Sequence, residues 1–348
     1  MFRAAIIAVV AVGCSTSVAP PSGVVPSQGV PTPVMTPVPA STRPSSQPAA
    51  SKGPSSPWLL IQRLTGEGGG IYLVRADGSD LHKLAASLTG VLKHPDWAPD
   101  GTAVVFTSDV GDDGSIWTAA IDGSAPRQIA TCPGSCDYPA WSPDGRRIAY
   151  TEYESKPDVP GPAASSIKII DLTSGHTTTA TRAERPMLVD VARWSPDGAR
   201  LVVGIDQMDA DAFETGAAIA IVDIATRKRT QITPFDAFAY VADWSPIDDR
   251  IVASVEILAA KREPGPGDAT WELFILEDPS ASLAALTHVP SATRLWDPAW
   301  APDGRSILAA DHDTSDVVAV DPVTGAVSIF MAGNRVPFPF AHPRLQPS

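Results

Sequence analysis

Cysteine is scarce in this chain of 348 residues: there are three, Cys14, Cys132 and Cys136. That excludes a fold stapled throughout by disulfides and a zinc site built from paired C-x-x-C motifs. Positive charge is short as well. Lys and Arg number 26 against 39 Asp and Glu, for a formal charge of −13 and a pI of about 4.8. Nucleic acid demands a basic face, and so does electrostatic adhesion to anionic lipid, so neither is expected as a ligand. Long apolar runs are missing. Residues 4–12 form an apolar run too short to span a bilayer as a stable helix. No extended stretch has the apolar period of an amphipathic helix. Catalytic signatures are missing too: there is no G-x-S-x-G elbow, no H-E-x-x-H and no G-x-x-x-x-G-K-[ST] loop. The six His are scattered at His82, His94, His176, His288, His312 and His342. No cofactor is expected, and catalysis lacks positive support.

What is present is a repeat. Trp97-Ala98-Pro99-Asp100-Gly101 returns as Trp141-Ser142-Pro143-Asp144-Gly145 and Trp194-Ser195-Pro196-Asp197-Gly198. It returns again as Trp244-Ser245-Pro246-Ile247-Asp248 and Trp300-Ala301-Pro302-Asp303-Gly304. The tryptophans stand 44, 53, 50 and 56 residues apart, a period that fits propeller blades. Seven positions after each Trp comes an aliphatic residue: Val104, Ile148, Leu201, Ile251 or Ile307. Pro presets φ for a turn, Asp bonds its own backbone and Gly accepts positive φ, so each motif reads as a hairpin turn. The Trp reads as an apolar wedge between sheets. In the fourth copy Asp248 replaces Gly, and its tolerance of left-handed geometry should preserve the turn.

A second hairpin follows each motif, with β-branched runs ending at Asp77-Gly78, Asp122-Gly123, Asp171, Asp223, Asp278 and Asp321. Six such hairpins face five intact Trp turns. A degraded sixth copy lies at His342-Pro343-Arg344-Leu345, with Leu345 in the Trp place. The expected architecture is all-β: a six-bladed β-propeller of four-stranded antiparallel blades, its ring closed by N- and C-terminal strands sharing one blade. The shared blade should take its inner strand from residues 336–340 and its other strands from residues 58–84. The 291 residues from Trp58 onward give about 48 per blade.

The N-terminus carries one charge, Arg3, then the short apolar run and Gly13-Cys14, which reads as a secretory signal over residues 1–13. Ala11-Val12-Gly13-Cys14 resembles the bacterial lipoprotein box, which implies cleavage before Cys14 and lipidation of that residue. The alternative is an ordinary signal with an incidental Cys. Residues 14–57 are rich in Pro, Ser, Val, Thr and Ala and read as a disordered tether that cannot offset the entropy of ordering. The folded domain is expected over residues 58–348. In an exported chain, Cys132 and Cys136 read as a local disulfide across a Pro-Gly turn. A metal would need more ligands than lie nearby, and the spacing is not that of a C-x-x-C redox pair.

In such a fold the loops joining second and third strands emerge opposite the Trp turns. The long ones are residues 108–115, 152–166, 206–216 and 257–270. Loops on a rigid scaffold are the usual place for recognition, so this acidic face is the candidate binding surface. It carries Asp109, Asp112, Asp113, Glu152, Glu154, Asp158, Asp206, Asp209, Asp211, Glu214, Asp311, Asp313 and Asp316. The competing reading is solvated loops on an acidic protein. The stretch from Asp109 to Gly114 has calcium-like oxygen donors but lacks the twelve-residue loop and its closing Glu. Asp311-His312-Asp313 would splay its side chains to opposite faces of a strand, so no metal site is assigned. His94 and His342 hold equivalent places before a Pro and read as structural.

The W-[SA]-P-D-G turns with their downstream Asp-Gly hairpins resemble the TolB-type six-bladed β-propeller over residues 58–348. The resemblance implies an envelope setting and a propeller that binds a protein partner, as TolB binds a peptidoglycan-associated lipoprotein. Similar propellers gate prolyl-oligopeptidase-like peptidases, whose hydrolase domain has no counterpart in this sequence. The resulting expectation is a membrane-anchored binding or scaffolding protein whose partner is an envelope protein or glycan. An enzyme acting on polysaccharide in the central funnel is the alternative.

Overall fold

The computed structural model describes residues 56–63, 70–88, 90–109, 114–257, 270–280, 284–285, 294–333 and 340–347. Cys14, Asp112 and Asp113 lie outside them. The described residues form six four-stranded antiparallel sheets. From the inner strand outward, blade 1 is Leu92–Trp97, Ala103–Ser108, Ser115–Ala120 and Arg127–Thr131. Blade 2 is Ser135–Trp141, Arg147–Ser155, Pro162–Asp171 and Thr177–Glu184. Blade 3 is Met187–Trp194, Arg200–Met208, Glu214–Asp223 and Arg229–Gln231. Blade 4 is Ala239–Trp244, Ile251–Ile257, Thr270–Leu276 and Ala284–Ala285. Blade 5 is Leu295–Trp300, Ile307–Asp311, Val317–Val320 and Val327–Met331. Blade 6 joins Phe340–Leu345 to Trp58–Arg63, Gly70–Arg75 and His82–Lys83. A short 3-10 turn spans Phe235–Ala237.

The inner strands contact one another in cyclic order, and blade 6 touches blade 1, so the ring is closed. Closure is held by Gln346, whose backbone N–H donates to Trp58 O at 2.8 Å and whose amide donates to Gly101 O at 3.0 Å. The inner strand of the shared blade is Phe340–Leu345 and not residues 336–340. The reason is register. Every other inner strand runs up to and includes its Trp, and Leu345 pairs with Leu59 in that same role.

The core lies between blades. Six buried apolar clusters occupy the six blade interfaces. Second strands such as Leu201-Val202-Val203 are apolar on both sides because Leu201 and Val203 face blade 2 while Val202 faces blade 4. Trp97, Trp194, Trp244 and Trp300 are each less than a tenth exposed within these interfaces. Trp97 and Trp194 donate their indole N–H to Arg344 O and Ala140 O of the preceding blade, both at 3.0 Å. Trp141 is partly exposed and donates instead to Gly145 O within its own turn. Three interfaces add an Arg over the next Trp: Arg147 on Trp194, Arg200 on Trp244 and Arg250 on Trp300, at 4.6, 4.7 and 4.8 Å from the ring centre.

The turn chemistry follows from its residues. Asp100, Asp144, Asp197 and Asp303 each accept the backbone N–H two residues on, and Gly101, Gly145, Gly198 and Gly304 have φ between 65° and 71°. Asp248 does not take the left-handed conformation. Its side chain instead accepts the Arg250 N–H at 3.1 Å and the Arg250 guanidinium at 2.9 Å, and this holds the turn without positive φ. Among the described residues no helix is long and apolar enough to cross a membrane.

Candidate functional site

One feature of the inner strands was not legible in the sequence. Three residues before the Trp or Leu345 position, every blade has a residue with positive φ: His94, Tyr138, Val191, Val241, Asp297 and His342. Strand pairing shifts register at each of these points. A bulge re-aims side chains, and a non-glycine residue there costs about 1 kcal/mol or more. The six bulges together turn side chains toward the funnel mouth, on the side away from the Trp turns.

Blades 5, 6, 1 and 2 fill their part of the mouth with acidic groups that are paired with imidazoles or cations. His94 Nδ1 hydrogen-bonds Asp137, Lys93 Nζ lies 3.1 Å from the same carboxylate, and Thr107 donates to it at 2.9 Å. Burial opposes ionisation of Asp137, yet His94 and Lys93 outweigh it and hold the carboxyl well below its usual range. His342 Nδ1 faces Asp297 Oδ1 at 2.9 Å. Burial pushes His342 down to about 4, against the pull of Asp297, so its ring is neutral at pH 7. His94 stacks on Tyr138 at 3.9 Å and meets the edge of His342 at 4.7 Å.

Blades 3 and 4 are different. A recess of about 170 Å³ opens there, lined by Tyr138, Asp190, Asp206, Glu214, Tyr240, Ser254, Trp271 and Trp296 among others. Tyr240, Trp271 and Trp296 form a continuous aromatic wall, with ring centres 5.0 and 6.4 Å apart. Asp190 lies opposite Gly204 in the pairing, where a Cβ would sit 2.5 Å from its Oδ1, so glycine makes room for the carboxylate. Burial first, then Glu214 and Asp137, raise Asp190 to about 7, against a hydrogen bond from Tyr153. Burial, Asp190 and Glu214 raise Asp206 well above its ordinary value. Glu214 is raised by burial and by Glu256, against the hydroxyl of Tyr240 that donates to it. No Lys, Arg or His among the described residues acts on these three carboxylates. Ser254 is 1% exposed, and its hydroxyl has no partner among the described residues. The Trp296 indole N–H is likewise unpartnered.

Below the mouth, the residue just before each Trp reads around the ring as Asp96, Ala140, Arg193, Asp243, Ala299 and Arg344. Arg193 and Arg344 are 5% and 6% exposed. Burial raises Asp96, and both guanidiniums oppose the shift. Asp96 and Asp243 also accept the backbone N–H of Trp141 and Trp300 in the following blades, both at 2.8 Å. This layer ties blades together. A second, more open hollow of about 460 Å³ lies between the first two Trp turns and is lined by turn residues including Trp141 and Asp144.

The candidate acidic residues separate into classes. Asp206 lines the recess, and so does Glu214. Asp109 sits 3.5 Å from Lys93, Glu152 lies 3.2 Å from Lys168, and Glu154 is paired with Arg182 at 2.8 Å. Asp209 is exposed and caps its own loop through the N–H groups of Asp211 and Phe213. Asp211 is exposed in that loop. Asp311 caps the N–H of Asp313, and Asp313 pairs with Arg294. No group of three or more His, Cys, Asp or Glu among the described residues is arranged to hold a metal ion. Cys132 and Cys136 are disulfide-bonded, with Cα atoms 5.5 Å apart, in the connection from blade 1 to blade 2. Asp190, Tyr138, Tyr240, Trp271 and Trp296 were absent from the candidates. Reading four residues back from each Trp finds three of them, Asp190, Tyr240 and Trp296, since that position precedes the bulge.

The molecule is thus a six-bladed β-propeller of the TolB type, with a recessed acidic and aromatic site at its funnel mouth. Its fold is similar to TolB from Acinetobacter baumannii, at 16% identity and a TM-score of 0.60, over 85% of this chain and 68% of that one. It is similar to a putative TolB from Agrobacterium tumefaciens at 17% identity and a TM-score of 0.56, over 81% and 92%. A chain of a nidogen–laminin complex matches at 13% identity and a TM-score of 0.59, over 83% and 98%. No family model and no curated protein matches the sequence.

Proposed function

We propose that this chain is an extracytoplasmic binding protein, held at the membrane by a lipid on Cys14, that presents its funnel face to an envelope protein or glycan. The observation that carries the reading is the recess of blades 3 and 4, where an aromatic wall meets carboxylates with no cation of their own. Binding sites are concave and aromatic-lined, with a few placed polar groups. Propellers similar in fold are TolB and a chain of the nidogen–laminin complex, and a binding role fits that company. Export is supported by the signal-like residues 1–13 and by the Cys132–Cys136 disulfide.

The test is capture from envelope extracts by the purified full chain, with Asp211→Lys and Trp271→Ser as face variants. Capture that both variants abolish supports the reading, and capture that neither alters overturns it. Cys14→Ser should move the protein from the membrane fraction to the soluble one. A second reading, a funnel enzyme, draws on the convergence of His94, Asp137, His342 and Asp297. Turnover of envelope polysaccharide that His94→Ala abolishes would establish it over the first.

A further inference from the structure

We infer that the recess between blades 3 and 4 binds a compact alkylammonium group, primary or methylated, seated against Tyr240, Trp271 and Trp296 and balanced by Asp206 and Glu214. The inference rests on the funnel face being a binding surface and adds the chemical class of what enters it.

Each ligand class makes a different demand on the walls. A divalent metal needs carboxylate oxygens converging on one point, and the acidic groups of the recess are not so arranged. A neutral sugar would stack on the tryptophans but would offer this crowd of acidic groups no counter-charge, and so would make no use of it. An anion is excluded by Asp190, Asp206 and Glu214 themselves. An alkylammonium meets the aromatic and the acidic features together. Its charge is diffuse enough to lie against aromatic faces, which attract cations. Carboxylates placed around it, without converging, suit a charge spread over several methyl or methylene groups. The volume of about 170 Å³ suits a small head group. A polar group is left waiting at the same place: the buried Ser254 hydroxyl has no partner among the described residues. The hydroxyl can accept a bond from a primary ammonium.

The surroundings also fix how binding responds to pH. The groups facing Asp190 and Asp206 are Asp137 and Tyr138 from the inner strand of blade 2, Tyr153 from its second strand, and Glu214 from the third strand of blade 3. Tyr240 and Glu256 of blade 4 complete the set around Glu214. Asp190 holds a proton up to about pH 7. A bound cation favours the ionised form, so binding expels a proton. If one proton with a pKa of about 7 must leave, affinity at pH 5.5 is about thirtyfold weaker than at pH 8.5, and loss of the Asp206 proton as well makes the fall steeper.

Titration calorimetry on the purified full chain tests this, in two buffers of different ionisation enthalpy to count protons. The probes are tetramethylammonium, choline, Nα-acetyl-lysine amide and its trimethylated form. Neutral controls are 3,3-dimethylbutanol and lysine amide acetylated on both Nα and Nε. Expected at pH 8.5 is saturable binding of at least one cation with a Kd of about 1 mM or tighter, proton release, and no binding of the neutral controls. Asp206→Asn and Glu214→Gln should each weaken it at least tenfold, and Glu214→Gln at the half-buried strand start serves if Asp206→Asn does not fold. Tighter binding of the lysine amides assigns the site to a partner's side chain, and tighter binding of choline assigns it to a free amine. No cation binding, or binding that neither variant alters, overturns the inference. If cation binding fails while Trp271→Ser still abolishes envelope capture, the binding function stands and only the ligand class falls. If capture is also indifferent to the face variants, both fall.

Discussion

Replacing Asp190 by Asn should stabilise the protein, and increasingly so as pH rises. Asp190 has a pKa of about 7 in the fold against 3.8 as an ordinary carboxyl, through burial and the like charges of Glu214 and Asp137. Between those two values the folded chain holds a proton that the unfolded chain has released. The stability that proton confers is complete below about pH 4, drains away as pH climbs, and is gone above pH 7. A gap of about 3 pH units corresponds to about 4 kcal/mol at ~1.4 kcal/mol per unit. Asp206 and Glu214 share the repulsion, so removing one charge recovers about half, ~2 kcal/mol. In a chain of this size that is on the order of 4 °C in Tm. Asn keeps the shape against Gly204, and its amide oxygen still accepts the Tyr153 hydroxyl. The assay is thermal unfolding of both proteins at pH 4, 5.5, 7 and 8.5. The difference should start near zero and reach a plateau above pH 7. A difference that is constant with pH, or an Asn variant less stable at pH 8.5, would refute the reasoning.

Other perturbations probe the scaffold. Arg344→Met leaves Asp96 buried beside a lost counter-charge and should cost about 3–5 kcal/mol in denaturant unfolding, with Asp96→Asn added to it restoring part of the loss. Arg200→Ala removes the guanidinium lying 4.7 Å over Trp244 and the 2.7 Å pair with Asp249, for about 1 kcal/mol by the same measure. Reduction of Cys132–Cys136, whose loop spans only four positions, should lower Tm by a few degrees without unfolding the chain at 25 °C, since such a short loop yields about 2 kcal/mol or less.

The sequence made the scaffold readable because the scaffold's needs are local. A Trp wedge, an Asp that caps its own turn and a Gly at positive φ must each stand at a fixed place in every blade, so they recur visibly. Even the degraded copy at Leu345 could be aligned, although its strand was set too early, because residues 336–340 were aligned without the rule that inner strands end on the Trp position. The funnel site was not readable for the opposite reason. Asp190, Tyr240 and Trp296 occupy one position of the repeat with three unlike side chains, and only the packing of blades 3, 4 and 5 brings them together with Trp271 from a third strand. Counting acidic residues on loops was misleading here, since Glu152, Glu154 and Asp109 are each matched by a cation and Asp209 is spent on its own backbone.

The contrast around the mouth is the strongest sign that the recess has a task. Bulges at all six blades carry their conformational cost alike, so the strain itself does not single out one sector. What differs is how each sector settles its charge. Asp137 is given an imidazole and a lysine, and Asp297 an imidazole and the nearby Arg344 guanidinium. Asp190, Asp206 and Glu214 sit within the same ring, partly buried, and receive only one another and tyrosine hydroxyls. A fold that gives its buried carboxylates imidazole and cationic partners on one side and crowds three acidic groups without any cation on the other has kept a destabilising arrangement that one substitution to Asn would relieve. Such an arrangement makes physical sense where a positive group arrives from outside to complete it.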